Sequence, residues 1–275
     1  MTEQSARGEH PVQFPVFLIN LDSSKQRLKV SEAQLHAAGV SFERILAVDG
    51  RNKPVSEFPT YDEAAAVKYY GRGLSSGEIG CYLSHVKALK QFVKSGQQMA
   101  LILEDDFLCQ PGCWDMMAAL EAAISDGKIS DWDLINLNQP PKRLYSWLAK
   151  IGDNDVSADV LRAFYFPARA TTILWSRSGA KSFLAEAQQP ICPVDHGFRR
   201  RVSENARGLG ISPNPFWVTG AASDISEAAP HWKKPRRIGW YRWREVSRQT
   251  RCLTLAGWAK YDRSKRDRAM LPQPE

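Results

Sequence analysis

The chain has 275 residues, 43% hydrophobic and 24% charged, the proportions of an ordinary globular protein with room for one large α/β unit or two small domains. Met1 to Pro11 are polar, the apolar run Val16 to Leu21 is too short for an export signal, and no stretch reaches the roughly 20 apolar residues that span a bilayer, so a cytosolic location is expected. The net charge of +7 is uneven: Lys233 to Arg268 holds 13 Lys/Arg against 3 Asp/Glu, a net +10, and leaves the remainder at −3, which calls for an anionic partner at the tail and argues against nucleic acid as the ligand of the body.

Residues 1–14 read as a disordered leader. Pro15-Val-Phe-Leu-Ile-Asn20 is a continuous apolar run, the pattern of a buried parallel strand. Ser23 or Ser24 caps a helix to about Ala38, which Gly39 stops, and Phe42 to Val48 forms a second strand ending at Asp49-Gly50. This β-α-β unit predicts an α/β fold with an open, mostly parallel sheet. After the loop Gly71 to Gly77, Ser75 and Glu78 have capping-box spacing and open a helix that Gly96 closes. Met99 to Leu103 is a third strand, running straight into Glu104-Asp105-Asp106. A helix from about Pro111 to Ile124 follows, then a strand over Trp132 to Leu137. Gln139 to Asp159 is polar and takes no assignment. Thr171 to Trp175 reads as a strand, Ser176 caps a helix to about Ala187, Pro193 starts another to about Asn205, and Phe216 to Val218 is a last short strand. The five cysteines, Cys81, Cys109, Cys113, Cys192 and Cys252, show no zinc-site spacing and read as reduced thiols.

Three acids at the C-terminal end of a buried strand sit where open α/β sheets hold their ligands. Glu104 and Asp106, one residue apart, are placed to reach a single divalent ion, Mn²⁺ or Mg²⁺. A solvated acidic turn is the competing reading of the triplet taken alone.

Four blocks resemble glycosyltransferase family 25, which contains lipooligosaccharide glycosyltransferases and collagen galactosyltransferases. They are Phe17-Leu-Ile-Asn-Leu-Asp22 with Arg27, Ala47-Val-Asp-Gly50, Leu74-Ser-Ser-Gly-Glu-Ile-Gly-Cys-Tyr-Leu-Ser-His85 and Ala100-Leu-Ile-Leu-Glu-Asp-Asp106. Weaker matches follow at Ser176-Arg-Ser-Gly-Ala180, Pro193-Val-Asp195 and Ser223-Asp-Ile225. The resemblance covers residues 15 to 225, and it is the combination and order of blocks that makes it specific. It implies a GT-A fold in a catalytic unit over 15–232, a UDP-sugar donor (most often UDP-galactose), and inverting transfer of a hexose to a lipooligosaccharide or other surface glycan.

With that resemblance, Asn20, Leu21 and Asp22 fall where a nucleoside would lie, Arg27 near a phosphate, and Asp49 near ribose hydroxyls or merely in an Asp-Gly turn. Glu78, Ser84 and His85 lie on the capped helix; Glu78 closes the capping box or faces the donor, and His85 contacts the donor or fills the core. An inverting transfer needs a carboxylate base, for which Asp195 and Asp105 both stand, Asp195 also being a plain acid at a helix start. Asp224 and His231 are late candidates to close the site or ligate the ion.

The tail, 233–275, alternates aromatic and basic residues. Trp240, Trp243, Val246, Leu253, Trp258 and Tyr261 share one helical face, and Arg244, Arg248 and Arg251 another. Such a helix suits an anionic membrane surface, placing the protein peripherally on the cytoplasmic face of the inner membrane, where a lipid-linked or oligosaccharide acceptor would be presented. The alternative is a non-catalytic, glycosyltransferase-like protein that binds membrane or nucleic acid through this tail.

Overall fold

A computed structural model describes residues 11–51, 53–153, 156–219 and 239–269, with side chains of the last segment through 263. Residues 1–10 of the expected leader, the Ser223 block, Asp224, His231 and the first part of the basic tail lie outside the described residues, but Val12 and Phe14 of the expected leader are buried in the core, so order begins before residue 15.

The first half builds one edge of the sheet. Strand β1 (Val16–Asn20) is followed by α1 (Lys25–Ala37) and β2 (Glu43–Leu46), then α2 (Glu63–Tyr70), α3 (Ser76–Ser95) and β3 (Met99–Glu104). Strands β1 and β2 pair in parallel, as do β1 and β3. The chain continues through β4 (Phe107–Cys109), α4 (Cys113–Ser125), β5 (Leu134–Asn136), β6 (Tyr145–Gly152), β7 (Ser157–Ala163), β8 (Thr172–Ser176), α5 (Arg177–Glu186), α6 (Val194–Asn205), β9 (Gly208–Ser212), β10 (Phe216–Val218) and α7 (Tyr241–Ala269). The main sheet has eight strands in the order β2-β1-β3-β8-β5-β9-β7-β6; β4 and β10 form a separate antiparallel pair. Pairing directions make β8 and β7 the reversed strands, and the other six run one way. The architecture is the α/β, GT-A-like one, with a sheet more mixed than a plain doubly wound one.

The continuous apolar strands feed two cores, because successive side chains alternate across a sheet. Val16, Leu18, Leu101 and Leu103 face one layer with Leu35, Met117 and Leu120 of α1 and α4. Phe17, Ile19, Ala100 and Ile102 face the other with Leu89, Phe92, Phe183 and Phe198 of α3, α5 and α6. Helix α3 is held at both ends: Ser75 accepts from the Glu78 amide while Glu78 accepts from the Ser75 amide, and Gly96 closes it at φ 82°. The Ser176 hydroxyl caps α5 through the Gly179 amide. Ser24 is the N-cap of α1, but its side chain makes no capping bond.

Three parts differ from what the sequence suggested. The polar stretch after Gln139 contains β6 and β7, a hairpin on the sheet edge whose outer strand alternates exposed and covered residues. Gly208 and Gly210 belong to β9, where a Cβ would meet Val202 at 2.6 Å or Pro141 at 2.6 Å, so the strand is glycine-rich because its neighbours press on it. Helix α7 packs on α2 and α6 and buries Tyr241, Arg248, Cys252 and Ala256. Its aromatic face, Trp240, Trp243, Val246 and Trp258, points to solvent; of the arginine face, Arg248 is buried against the body, while Arg244 and Arg251 stay exposed beside it.

Candidate active site

Where β1, β2 and β3 end, their outgoing loops and the start of α3 enclose an open cleft of about 720 Å³. Asn20, Leu21, Arg27, Asp49, Ser84, His85, Glu104, Asp105 and Asp106 all line it. The fold thus brings together nine residues that were singled out from four separate sequence blocks.

The cleft exists because backbone approaches backbone closely. A Cβ on Gly50 would lie 1.8 Å from the Ser76 carbonyl oxygen, and one on Gly80 would lie 2.5 Å from the Val48 oxygen. Only glycine lets the β2 loop rest on the first turns of α3. Ser84 fastens the same contact: its hydroxyl donates to the Gly80 carbonyl at 2.7 Å and accepts from the Val48 amide at 2.8 Å. Asn20, 1% exposed, ties the strand ends together. Its amide donates to Asp105 Oδ2 at 2.6 Å and to the Ser24 carbonyl at 3.1 Å, and its Oδ1 accepts from Arg44 at 2.7 Å.

The three acids have three environments. Asp105 is anchored, accepting from Asn20 and from Arg27 Nη1 at 3.2 Å. Glu104 accepts from His85 Nε2 at 2.8 Å, with the Cys81 thiol at 3.6 Å and the Thr171 hydroxyl at 3.5 Å. Burial pushes its carboxyl up, but the His85 hydrogen bond, the His85 charge interaction and the smaller contacts outweigh burial and hold it below the usual range. An ionised carboxylate only accepts, so His85 Nε2 carries the proton. Burial and the Glu104 charge push the Cys81 thiol well up. Asp106 has no side-chain partner among the described residues; its own backbone amide is its one hydrogen-bond donor there, and its Oδ1 is buried and unbonded. Burial first, then the Glu104 and Asp105 charges, push its carboxyl up to about 7.

A carboxylate oxygen buried without a partner beside two other acids fits a hard divalent cation, which would supply the missing positive charge. Asp106 is the oxygen donor best placed for it, with Glu104 adjacent. Cys81, His85 and Glu104 also offer ligand atoms within 4.8 Å of one another, a softer set. Sequence reasoning missed Cys81 and Thr171; the Cys81/His85 spacing of one helical turn was the available signal.

Some expected residues stand apart from the cleft wall. Asp22 is 71% exposed and pairs with Arg44 at 3.3 Å. Glu78 closes the capping box and takes a two-point ion pair from Arg72 at 2.8 and 2.6 Å. Asp49 lines the cleft but is held by Arg51 at 2.7 Å, and that hydrogen bond keeps its carboxyl below the usual range. Arg51 also reaches the Ser23 hydroxyl, a second guanidinium at the cleft beside Arg27. Asp195 lies in the first turn of α6, where its Oδ1 accepts from the His196 amide at 2.8 Å. Burial pushes its carboxyl up, and the charge of Glu104 adds to this; Asp195 is not among the residues that line the cleft.

The chain matches the family model described as glycosyltransferase family 25 (LPS biosynthesis protein) over residues 13–197. Among curated proteins, the glycosyltransferase 25 family member of Aedes aegypti is 26% identical over 239 residues, 82% of this chain and 34% of that protein. Procollagen galactosyltransferase 1 of Danio rerio is 30% identical over 132 residues, 45% of this chain and 21% of that protein. The inactive glycosyltransferase 25 family member 3 of Homo sapiens is 32% identical over the same length, with the same shares. The chain spans between about a fifth and a third of the length of these relatives.

Proposed function

Because the chain belongs to glycosyltransferase family 25, we propose that it transfers a hexose, galactose being the leading candidate, from a UDP-sugar to a glycan acceptor with inversion at the anomeric carbon. The observation that carries the reading is Asp106: a half-buried carboxylate, with one oxygen buried and unbonded and no side-chain partner among the described residues, lining a cleft whose walls hold Arg27 and Arg51. Such a cleft suits a metal–diphosphate, and the two guanidiniums suit its phosphate oxygens. Asn20 and Leu21 give the nucleoside a wall, and Asp49 a ribose acceptor. A bound Mn²⁺ or Mg²⁺ would neutralise the charge that builds on the departing diphosphate. Asp106 and Glu104 would hold it, with His85 orienting Glu104 through Nε2.

Asp195 is the better general base of the two candidates. Asp105 is fixed by Asn20 and Arg27, whereas Asp195 has one oxygen unengaged among the described residues and a carboxyl raised toward the range where a base works. It would take the proton of the acceptor hydroxyl as that oxygen attacks the anomeric carbon. The outward aromatic face of α7 supports an acceptor met at an anionic membrane surface on its cytoplasmic side. No helix among the described residues is long and apolar enough to cross a membrane.

Titrating the protein with UDP-sugars, in Mn²⁺ and in EDTA, tests the reading. UDP release that needs both the metal and Asp106 supports it, and failure to bind any nucleotide sugar overturns it. The name of the human relative motivates a second reading, donor binding without turnover; metal-dependent binding with no UDP release on any acceptor would select it.

A further inference from the structure

A second cavity, of about 1060 Å³ and open to solvent, lies between α2, α6 and α7 and shares no lining residue with the acidic cleft. Lys68, Arg200, Arg244, Arg248 and Arg251 line it, against a single carboxylate, Glu204. Glu204 is taken by Arg200 at 3.3 Å. Among the described residues, Lys68, Arg244 and Arg251 have no carboxylate within ion-pair distance. Five cations around one cavity repel one another, and an anion between them removes that cost.

Arg248 is the built part of the site. It is 8% exposed, so its guanidinium is held out of water. Its Nη1 donates to His196 Nδ1 at 2.8 Å, and its plane lies 4.4 Å from the centre of the Tyr70 ring. Its Nε and Nη2 are buried and have no partner among the described residues. Buried donors left unmet are costly, and a fork of two N–H groups matches two oxygens of one anion. The imidazole it leans on brings no charge of its own, since burial and the Arg248 charge push His196 down to about 3.

We propose that this cavity binds a phosphate-bearing group, a phosphomonoester or a diphosphate, carried by a lipid headgroup or by a soluble saccharide. Several cations suit a multiply charged anion better than one carboxylate, and a buried guanidinium fork suits its planar pairs of oxygens. Helix α7 builds this cavity with one face and turns Trp240 and Trp243 outward with another, so a phosphate seated here is close to any surface those rings enter. The site does not require glycosyl transfer; only its assignment to the sugar acceptor rests on the transferase reading.

The test uses the full chain in EDTA, which silences metal-dependent binding at the cleft. Two probes are titrated by calorimetry: inorganic pyrophosphate, and phosphatidylcholine vesicles containing phosphatidic acid. The variants are Arg248→Lys and the double variant Arg244→Gln/Arg251→Gln, whose two arginines are exposed and can be replaced without disturbing the core. At least one probe should bind about tenfold or more weakly to both variants, while metal-dependent UDP binding by the double variant stays unchanged. Weakened pyrophosphate binding identifies a soluble diphosphate, and weakened vesicle binding alone identifies a lipid phosphomonoester. Equal affinity of wild type and variants for both probes, or no binding of either by wild type, overturns the proposal.

Discussion

Asp106 has the most to lose from its own ionisation. Its folded carboxyl keeps the proton up to about pH 7, against 3.8 for an unperturbed one. Between those values the folded state holds a proton that the unfolded state has released, so stability falls as pH rises through that window. Melting curves in EDTA from pH 5 to 8 should show this decline, and Asp106→Asn should flatten it and raise the midpoint at pH 8. The same variant should lose metal-dependent UDP binding. In wild type the cation must displace the proton, so Mn²⁺ affinity should climb as pH rises toward 7 and level off above it, as a titration at several pH values would record. Asp195→Asn should act differently, lowering kcat by about 10²–10⁴-fold with the donor KM little changed, in steady-state kinetics. The acids themselves were legible in the sequence, because a strand of pure apolar residues cannot end in three carboxylates without a reason. Their division of labour was not, since the anchoring of Asp105 depends on Asn20 and Arg27, 85 and 78 residues away in the chain.

The contact between the β2 loop and α3 sets the cleft wall at the scale of elements. Gly80→Ala places a methyl 2.5 Å from the Val48 oxygen. That overlap should cost about 1–3 kcal/mol, seen as a melting midpoint lower by several degrees, and should weaken UDP binding by shifting Asp49. Elements with two-sided burial or strong caps, β1, β3, α3 and α5, could be read directly, since apolar runs and capping residues are local signals. The β6–β7 hairpin could not, because a half-solvated edge strand such as Tyr145–Gly152 alternates polar residues that look like loop. Helix α2 also went unread, although Asp62 caps it through the Ala65 amide and Gly71 ends it at φ 91°; its eight residues are too few for a clear period.

For the whole molecule, the main revision concerns the tail. In the sequence, residues 233–275 read as an amphipathic helix suited to a membrane surface, with nothing to say what it packs on. In the fold, Tyr241, Arg248, Cys252 and Ala256 cover α2 and α6, so deleting α7 would strip the body as well as the proposed membrane contact. Replacing Trp240, Trp243 and Trp258 together by Ser is the cleaner experiment. Binding to anionic vesicles in a flotation assay should drop sharply while the melting midpoint stays within a degree or two, because these rings are 63–76% exposed. The charge asymmetry was visible from composition; the inversion of the helix, Arg248 inward and the indoles outward, was not, since periodicity groups residues into faces without saying which face meets the body.

That inversion divides the described tryptophans into two optical populations. Trp114, Trp132 and Trp175 are buried in the body, whereas Trp147, Trp217, Trp240, Trp243 and Trp258 are 55–76% exposed. Indoles in water emit at longer wavelength and are reached by soluble quenchers, and indoles in the core do neither. Among the described tryptophans, the outward face of α7 therefore supplies three of the five exposed emitters. Seating it in a bilayer would shift the emission to the blue and shield it from acrylamide, so the unlabelled protein carries its own fluorescent gauge of docking.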